Sequence, residues 1–484
     1  MAKITTVIDI GSNSIRMAVF KKTSRFGFSL IYELKSKVRI SEGSYEAKGM
    51  LQEAPMQRTL SVLANFMHIA KTYKSRKILC IATSAMRDAP NRQVFVKKAS
   101  QECGINIKVI DGSKEAFFGA VACANLSHNR SGIMVDIGGG STECALIEDG
   151  RIKELISLDL GTIRLKELFF DKRLDLKEAR SFIQKQLDKI PTSFRHENIF
   201  GVGGTIRALA KMISKQEGNC LNILHGFEID VKKYIDFFTK IVCAKEEKLI
   251  DLGVSEERQD NIQGGVLILL MLLEQFKTKM ITTCGVGVRE GVFLADLLRT
   301  HSHRFPSDIN PSLQYLKDSF LLDSYALKIK TIANRLFDLF KGSFGIKEDF
   351  KRLLSIAAIA SEMGVKVNFY SMNKHSAYMV KQVLSYGFSY YERCVIALLT
   401  EFSEKKFPKD IDIARYGIKA DLGSLQILSY ILSLSRVLGV IDFRGEVKVF
   451  EEQVKIYGVE DNFLAREKIS KIARPKNLSV LFMR

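Results

Sequence analysis

Two stretches of the chain share one pattern of apolar and polar positions. Ile133 to Val135 is an apolar run that passes through Asp136-Ile-Gly-Gly-Gly-Ser-Thr-Glu143 into a second apolar run ending at Ile147. This predicts a β-hairpin with a tight, backbone-exposed turn. Near the N-terminus, Ile4 to Ile10 closes in Asp9-Ile-Gly-Ser-Asn-Ser14 and continues as Ile15 to Phe20. Asp9 matches Asp136 and Gly11 matches Gly138, so the pattern predicts a duplicated architecture that holds a ligand between its halves.

Around the hairpins, short apolar strands alternate with segments of helical period. Residues 28–50 hold an extended segment and a polar loop, and Leu60, Leu63, Ala64, Met67 and Ala70 mark a helix over 56–71. A strand at 77–83, a helix at 93–103, a strand at 105–110, a helix start at 111–116 and a strand at 152–158 follow. Next come a turn into helix after Asp159 and a charged helical stretch over 171–197. A strand at 199–202 then opens through Gly203-Gly-Thr205 into a helix. Helices over 230–250 and 255–276, a strand at 279–284 and a helix to Leu298 complete this half. The alternation argues for α/β folding. Beyond Thr300 the period is helical over 311–440, and a short strand pair is expected from Val447. The stretch from His301 to Pro311, with two prolines, marks a boundary.

Composition narrows the class. With 46% hydrophobic and 26% charged residues, 7 Pro and 33 Gly in 484 residues, the chain reads as compact, closely joined domains. A formal charge of +19, spread along the chain, points to an anionic partner, with a generally basic or solubilising surface as the plainer reading. The eight cysteines show no CxxC pair or metal spacing and read as reduced core residues of a cytoplasmic protein. No signal peptide is expected, and the longest apolar run, Val266 to Leu273, is too short to cross a bilayer, so no membrane partner is expected.

The turns carry the candidate chemistry. Glycines at 138–140 let the main chain approach an anion and aim N–H groups at phosphate, although such glycines also build ordinary hairpins. Glu143 does not serve to attract phosphate there, which makes it the candidate base. Arg87, just beyond a strand end, can reach into a crevice or pair with Asp88. Glu115 sits in a first helical turn, where a cap alone explains it. Gly203-Gly-Thr205 offers helix N–H groups to an anion.

Six ordered stretches then resemble the exopolyphosphatase/guanosine pentaphosphate phosphatase (Ppx/GppA) family: Asp9 to Ser14, Ala82 to Ala89, Asp136 to Glu143, Gly161-Thr-Ile-Arg164, Gly203 to Thr205 and Gly287-Val-Arg-Glu-Gly291. The resemblance implies two actin-like ATPase (ribonuclease-H-like) α/β domains, at 1–118 and 119–303, with the site in the cleft between them. A helical, degenerate HD-like domain follows at 304–484. It implies Mg²⁺-assisted hydrolysis of a terminal phosphoanhydride of inorganic polyphosphate, guanosine pentaphosphate or both. Glu143 activates water in this reading, Glu115 and Asp136 support it, and Arg87 grips phosphate. Asp9, Gly11, Ser12, Asn13, Ser14, Gly138, Gly139, Gly140, Ser141, Thr142, Gly203, Gly204 and Thr205 form the phosphate-binding loops, and Mg²⁺ is expected at Asp136, Glu143 and Glu115. A homodimer is expected and nucleic acid is not. Ser361-Glu362 stands where a metal-binding His-Asp step belongs, and His375 reads as structural. A sensor without catalysis, binding guanosine tetraphosphate or polyphosphate, and a kinase or ATPase of the same fold are the alternatives.

Overall fold

The computed structural model describes residues 4–44, 47–171, 176–219, 221, 223–320, 325–441 and 443–483. It divides into two compact units, Met1–Glu217 with Ile223–Tyr315, and Gly218–Asn222 with Leu316–Arg484.

In the first unit, strands β1 (Ile4–Ile10), β2 (Ile15–Lys22) and β3 (Phe28–Ser36) form a meander. Helix α1 (Glu53–Thr72), β4 (Lys77–Ala82), the short α2 (Ser84–Asp88), α3 (Arg92–Cys103), β5 (Ile107–Val109) and α4 (Gly112–Leu126) follow. The pattern then repeats as β6 (Gly132–Ile137), β7 (Thr142–Glu148) and β8 (Arg151–Leu158). After it come α5 (Thr162–Leu165), α6 (Leu176–Leu187), β9 (Asn198–Val202), α7 (Gly203–Gln216), β10 (Glu228–Asp230), α8 (Val231–Cys243), α9 (Glu256–Gln259), α10 (Ile262–Phe276), β11 (Met280–Thr283) and α11 (Val288–Leu297). One sheet has the order β3-β2-β1-β4-β5 and the other β10-β11-β9-β6-β7-β8. Read from the meander edge, both run antiparallel through the hairpin and then parallel into the next strand. The duplication expected from two short motifs is therefore a duplication of whole sheets.

Both hairpins close in the same way. Gly11 N–H donates to the Ser14 carbonyl at 3.1 Å, and Gly138 N–H to the Ser141 carbonyl at 2.9 Å. Four-residue turns then fix the registers: Asp9 lies opposite Arg16, and Asp136 opposite Glu143. Helices α4 and α11 each pack across to the opposite half, α4 on β7 and β8, α11 on β1. They touch where Gly291 leaves room for the Phe118 carbonyl, and Phe293 of α11 stacks on Phe20 at 4.4 Å. The division expected at 118/119 falls inside α4, which is why no linker appears there.

Several predicted helices are shorter than their apolar period suggests. Residues 230–250 yield α8, which ends at Cys243, and one separate 3₁₀ turn at Glu246–Lys248. Residues 255–276 break at Asp260-Asn261, and the break turns Asn261 into the cleft. Of 171–197, α6 is helical, and Lys172 to Asp175 lie outside the described residues. Cys80, Cys123, Cys144, Cys284 and Cys394 are buried, Cys103 is half-buried and Cys243 is exposed; Cys220 lies outside the described residues.

The second unit holds most of α12 (Pro311–Phe320), then α13 (Tyr325–Phe344), α14 (Asp349–Ala360), α15 (Met372–Val383), α16 (Tyr390–Glu401), α17 (Asp410–Tyr416) and α18 (Leu422–Val440). Strands β12 (Val447–Phe450) and β13 (Gln453–Tyr457), helix α19 (Phe463–Ser470) and strand β14 (Ser479–Met483) close the chain. The expected strand pair is a three-stranded sheet, since β14 adds parallel to β13. Helix α18 is apolar and 19 residues long, enough by length to cross a membrane, and 72% of its apolar window is buried inside the protein. Near Ser361-Glu362, the Arg436 guanidinium lies 3.0 Å from Glu404 and 3.6 Å from Glu362, and donates to Asn373 Oδ1 at 2.9 Å and Ser403 Oγ at 2.8 Å. An organic cation thus joins these polar groups.

Candidate active site

The glycine turn 138–141 is held from outside. Thr162 and Ile163 N–H donate to the Gly138 and Gly139 carbonyls at 3.0 and 2.8 Å, and Arg164 Nε donates to the Gly140 carbonyl at 3.0 Å. In a trans peptide C=O and N–H point oppositely, so these bonds turn the following N–H groups away from α5. Gly161 makes this possible, since any Cβ there would overlap the Gly139-Gly140 peptide. The Gly161 to Arg164 motif is therefore a clamp on the phosphate loop.

A cleft of about 1080 Å³, counted with its open mouth, brings together Asp9, Gly11 to Ser14, Glu115, Asp136, Gly138 to Ser141, Glu143 and Gly203 to Thr205. Two predicted residues are placed differently. Thr142 is buried and its hydroxyl donates to the Leu160 carbonyl at 2.5 Å, so it fixes the turn and does not line the cleft. Arg87 does not line it either; its Nη1 contacts Glu115 Oε2 at 3.2 Å and the Ile110 carbonyl at 3.3 Å. It also stands 3.8 Å from Asp88.

Glu143 is buried, Asp9, Glu115 and Asp136 are half-buried, and they stand close enough to repel one another. Burial first, and Asp136 second, push Glu143 up to about 7, against hydrogen bonds from Ser141 and Ser157. Burial and Glu143 raise Glu115, against Arg87. Burial raises Asp136, opposed by Arg207 and Arg16. Asp9 is pushed up to about 6 by burial, against Arg16 and Arg289. Gly203 has φ +90°, and a Cβ on it would sit 2.8 Å from Asp136 Oδ1; glycine thus lets the N-terminus of α7 meet that carboxylate.

Three arginines, Arg289 buried and Arg16 and Arg207 half-buried, were not singled out from the sequence. Arg16, Arg207 and Arg289 line the cleft. Burial and mutual repulsion lower Arg16, and bring Arg207 down to about 10. Arg289 pairs with Glu33 at 2.6 Å. Arg258 lies across Gly204, where a Cβ has no space, and Lys35 at the rim is lowered to about 8, chiefly by desolvation. Aligning the two hairpins would have found Arg16, because it occupies in the first half the position of Glu143 in the second.

Ser157 carried no sequence signal. On β8, opposite Glu143, its hydroxyl donates to Glu143 Oε1 at 2.8 Å. Gly112 leaves the space Ser157 needs. Ser157→Ala is expected to lower kcat by about tenfold, the value of one hydrogen bond to a charged group, with little change in KM. Steady-state kinetics of this variant and of Ser157→Thr check it, and an unchanged kcat would count against the positioning role.

A model described as the Ppx/GppA phosphatase family matches residues 18–300, and one described as Ppx/GppA phosphatase, domain III, matches 310–439. The chain belongs to the Ppx/GppA phosphatase family. Among curated members, a guanosine-5'-triphosphate,3'-diphosphate pyrophosphatase of Vibrio parahaemolyticus is 28% identical over 391 residues, 78% of this chain and 76% of the relative. One of the same name from Pseudoalteromonas translucida is 27% identical over 467 residues, 93% of this chain and 89% of the relative. The solved Ppx/GppA family member of Aquifex aeolicus matches with a TM-score of 0.53 at 26% identity, covering 62% of this chain and 99% of its own. An exopolyphosphatase of Cytophaga hutchinsonii shares the fold with a TM-score of 0.55 at 23% identity, covering 61% of this chain and 98% of its own. The actin-like fold expected from the motifs is the fold of the Ppx/GppA proteins, and the duplicated sheets are its two halves.

Proposed function

We propose that the cleft hydrolyses a terminal phosphoanhydride, releasing orthophosphate from guanosine pentaphosphate, inorganic polyphosphate or both. The observation that carries this reading is Glu143 itself. It is a buried carboxyl raised to about 7, set opposite Asp136 and beside a clamped glycine turn, in a cleft otherwise rich in guanidinium groups. A group of that pKa takes a proton from water efficiently near neutral pH. The curated relatives' name favours guanosine pentaphosphate, and the net charge of +19 favours a longer polyanion.

In this reading the terminal phosphoryl lies against the N–H groups of Gly139 to Ser141 and those at the start of α7. Arg16, Arg207 and Arg289 meet the charge of the remaining phosphates. Glu143 removes the proton of the attacking water, with Ser157 holding its carboxylate in place, while Arg87 steadies Glu115. The bond from the terminal phosphorus to the bridging oxygen breaks; that oxygen leaves on the shortened substrate, and the terminal phosphoryl departs as orthophosphate carrying the oxygen of the attacking water.

Among the described residues no three His, Cys, Asp or Glu side chains converge tightly enough to cage a cation. Mg²⁺ does not require that, because it takes one or two carboxylates and completes its shell with water and substrate oxygens. The donor set fits such use: Asp9 Oδ1 is buried without a hydrogen-bond partner, Asp136 and Glu115 are close enough to interact with Asp9, and Glu143 lines the same cleft. We infer that Asp136 and Asp9 hold Mg²⁺, with Glu115 and Glu143 beside it. When bound, the ion offsets charge on the transferring phosphoryl group.

The raised carboxylates test this. Folded Asp9 keeps its proton up to about pH 6, whereas the unfolded chain releases it near pH 4. Its stabilising contribution is complete below about pH 4 and is lost as pH rises through 6, at most about 3 kcal/mol. Metal-free wild type is therefore expected to lose more stability than Asp9→Asn between pH 5 and 8. At pH 8, Mg²⁺ is expected to raise the melting temperature of wild type more than that of the variant. Equal Mg²⁺ responses would remove Asp9 from the cation site.

A further inference from the structure

Among the described residues, two buried side-chain oxygens that line the cleft have no hydrogen-bond partner, Asp9 Oδ1 and Ser84 Oγ. The cation site accounts for the first. Ser84 has no part in the reaction described above, yet only 3% of it is exposed. A buried hydroxyl without a partner is costly unless a group bound in the cleft meets it. The serines beside Glu143 are already engaged, since Ser141 and Ser157 both hydrogen-bond its carboxylate.

The backbone fixes where Ser84 stands. It opens α2 directly after β4, and Thr83 N–H just ahead of it donates to the Ile10 carbonyl at 3.2 Å, at the end of β1. The Ala82 carbonyl accepts from Ile110 N–H at 3.0 Å, which ties the same corner to the segment leading into α4. Arg87 follows Ser84 by three residues, so the two share one side of this single turn, and Arg87 contacts Glu115. Ser84 therefore lies on the Glu115 side of α2, in the first half of the duplicated fold, whereas Glu143 and the clamped glycine turn belong to the second.

Attack by water on phosphorus needs two acceptors. One O–H points at the base; the second needs a partner as well, or the water turns freely and its lone pair is not aimed. A hydroxyl oxygen accepts such a bond without taking the proton. We infer that Ser84 Oγ accepts the second O–H of the attacking water and, with Glu143, aims its lone pair at the terminal phosphorus. This role rests on the hydrolytic reading of the cleft. Ser84 gains and loses no proton: one proton of the water passes to Glu143, the oxygen bonds to phosphorus, and the bond to the bridging oxygen breaks while the other proton stays on the incoming oxygen.

Methanol tests this, because it carries a methyl group where water has its second O–H. Wild type, Ser84→Ala and Glu143→Gln are run with Mg²⁺ in aqueous methanol on guanosine pentaphosphate and on inorganic polyphosphate, and orthophosphate and methyl phosphate are measured by ³¹P NMR. Ser84→Ala is expected to lower orthophosphate release by about tenfold at unchanged KM, the value of one hydrogen bond. Its ratio of methyl phosphate to orthophosphate is expected to rise by a similar factor, since methanol never used the lost acceptor and the missing hydroxyl leaves room for its methyl. The melting temperature is expected to hold or rise, because an unpartnered buried hydroxyl is gone. A slower variant that forms no methyl phosphate, or forms it in the wild-type proportion, overturns the role, as a phosphate contact or a packing role slows both nucleophiles alike. Unchanged hydrolysis by Ser84→Ala beside a slow Glu143→Gln overturns Ser84 alone. A wild type that releases no orthophosphate, or a Glu143→Gln as fast as wild type, overturns the hydrolytic reading and Ser84 with it.

Discussion

Glu143→Gln is expected to lower the rate of orthophosphate release by about 10²- to 10⁴-fold, the range removed with a positioned general base. The amide keeps the shape of the side chain and can still accept from Ser157 through its carbonyl oxygen, so the strand pair β7–β8 holds. What disappears is the capacity to take a proton. The variant also loses a buried negative charge that raises Glu115. Substrate affinity is therefore expected to hold or tighten, and the melting temperature near pH 8 to rise. Single-turnover rates with equilibrium binding separate the two effects. A variant that turns over at the wild-type rate would remove Glu143 from the chemistry, and one that binds more weakly and melts lower than wild type would make its role structural.

Gly161→Ala is expected to cost about 10²-fold in kcat/KM, although residue 161 is not among the residues lining the cleft. Its added methyl would overlap the Gly139 carbonyl and the Gly140 nitrogen, backbone atoms with no side-chain freedom to yield. Either the Gly138–Ser141 turn moves or the chain at 160–164 withdraws, and both break the clamp on the turn's carbonyls. A misplacement of about 1 Å in a preorganised site is enough for a loss of that size. Overpacking of this kind also costs about 1–3 kcal/mol of stability. Parallel kinetics and thermal melts check it. A variant with wild-type kcat/KM would show that the clamp does not set the loop's geometry.

Much of this architecture was legible in the chain because it is written locally. Each hairpin turn carries its own aspartate, glycine and hydroxyl residues, and the duplication shows as two copies of one short pattern. Thr142 was not legible as a structural residue, because its place depends on the Leu160 carbonyl eighteen residues away. Arg87 faces Glu115, a partner supplied by another element, so the sequence offered both Asp88 and a phosphate as its target. Ser157 gains its meaning only through strand register with Glu143, and Arg207 and Arg289 only through their place beside the carboxylates. Arg16 is the exception: its place follows from the duplicated hairpins, one step beyond the residues first compared. In the second unit the missing His-Asp step was visible, but Arg436, which joins Glu362 and Glu404, lies on a helix more than seventy residues later.

In the proposed reaction water, activated in this cleft, attacks the terminal phosphorus. This is tested most directly by running the wild-type reaction with Mg²⁺ in ¹⁸O-labelled water, on guanosine pentaphosphate and on inorganic polyphosphate, and analysing both products by mass spectrometry. One labelled oxygen is expected in the released orthophosphate and none in the shortened product. Label in the shortened product, or binding of both substrates without release of phosphate, would contradict it.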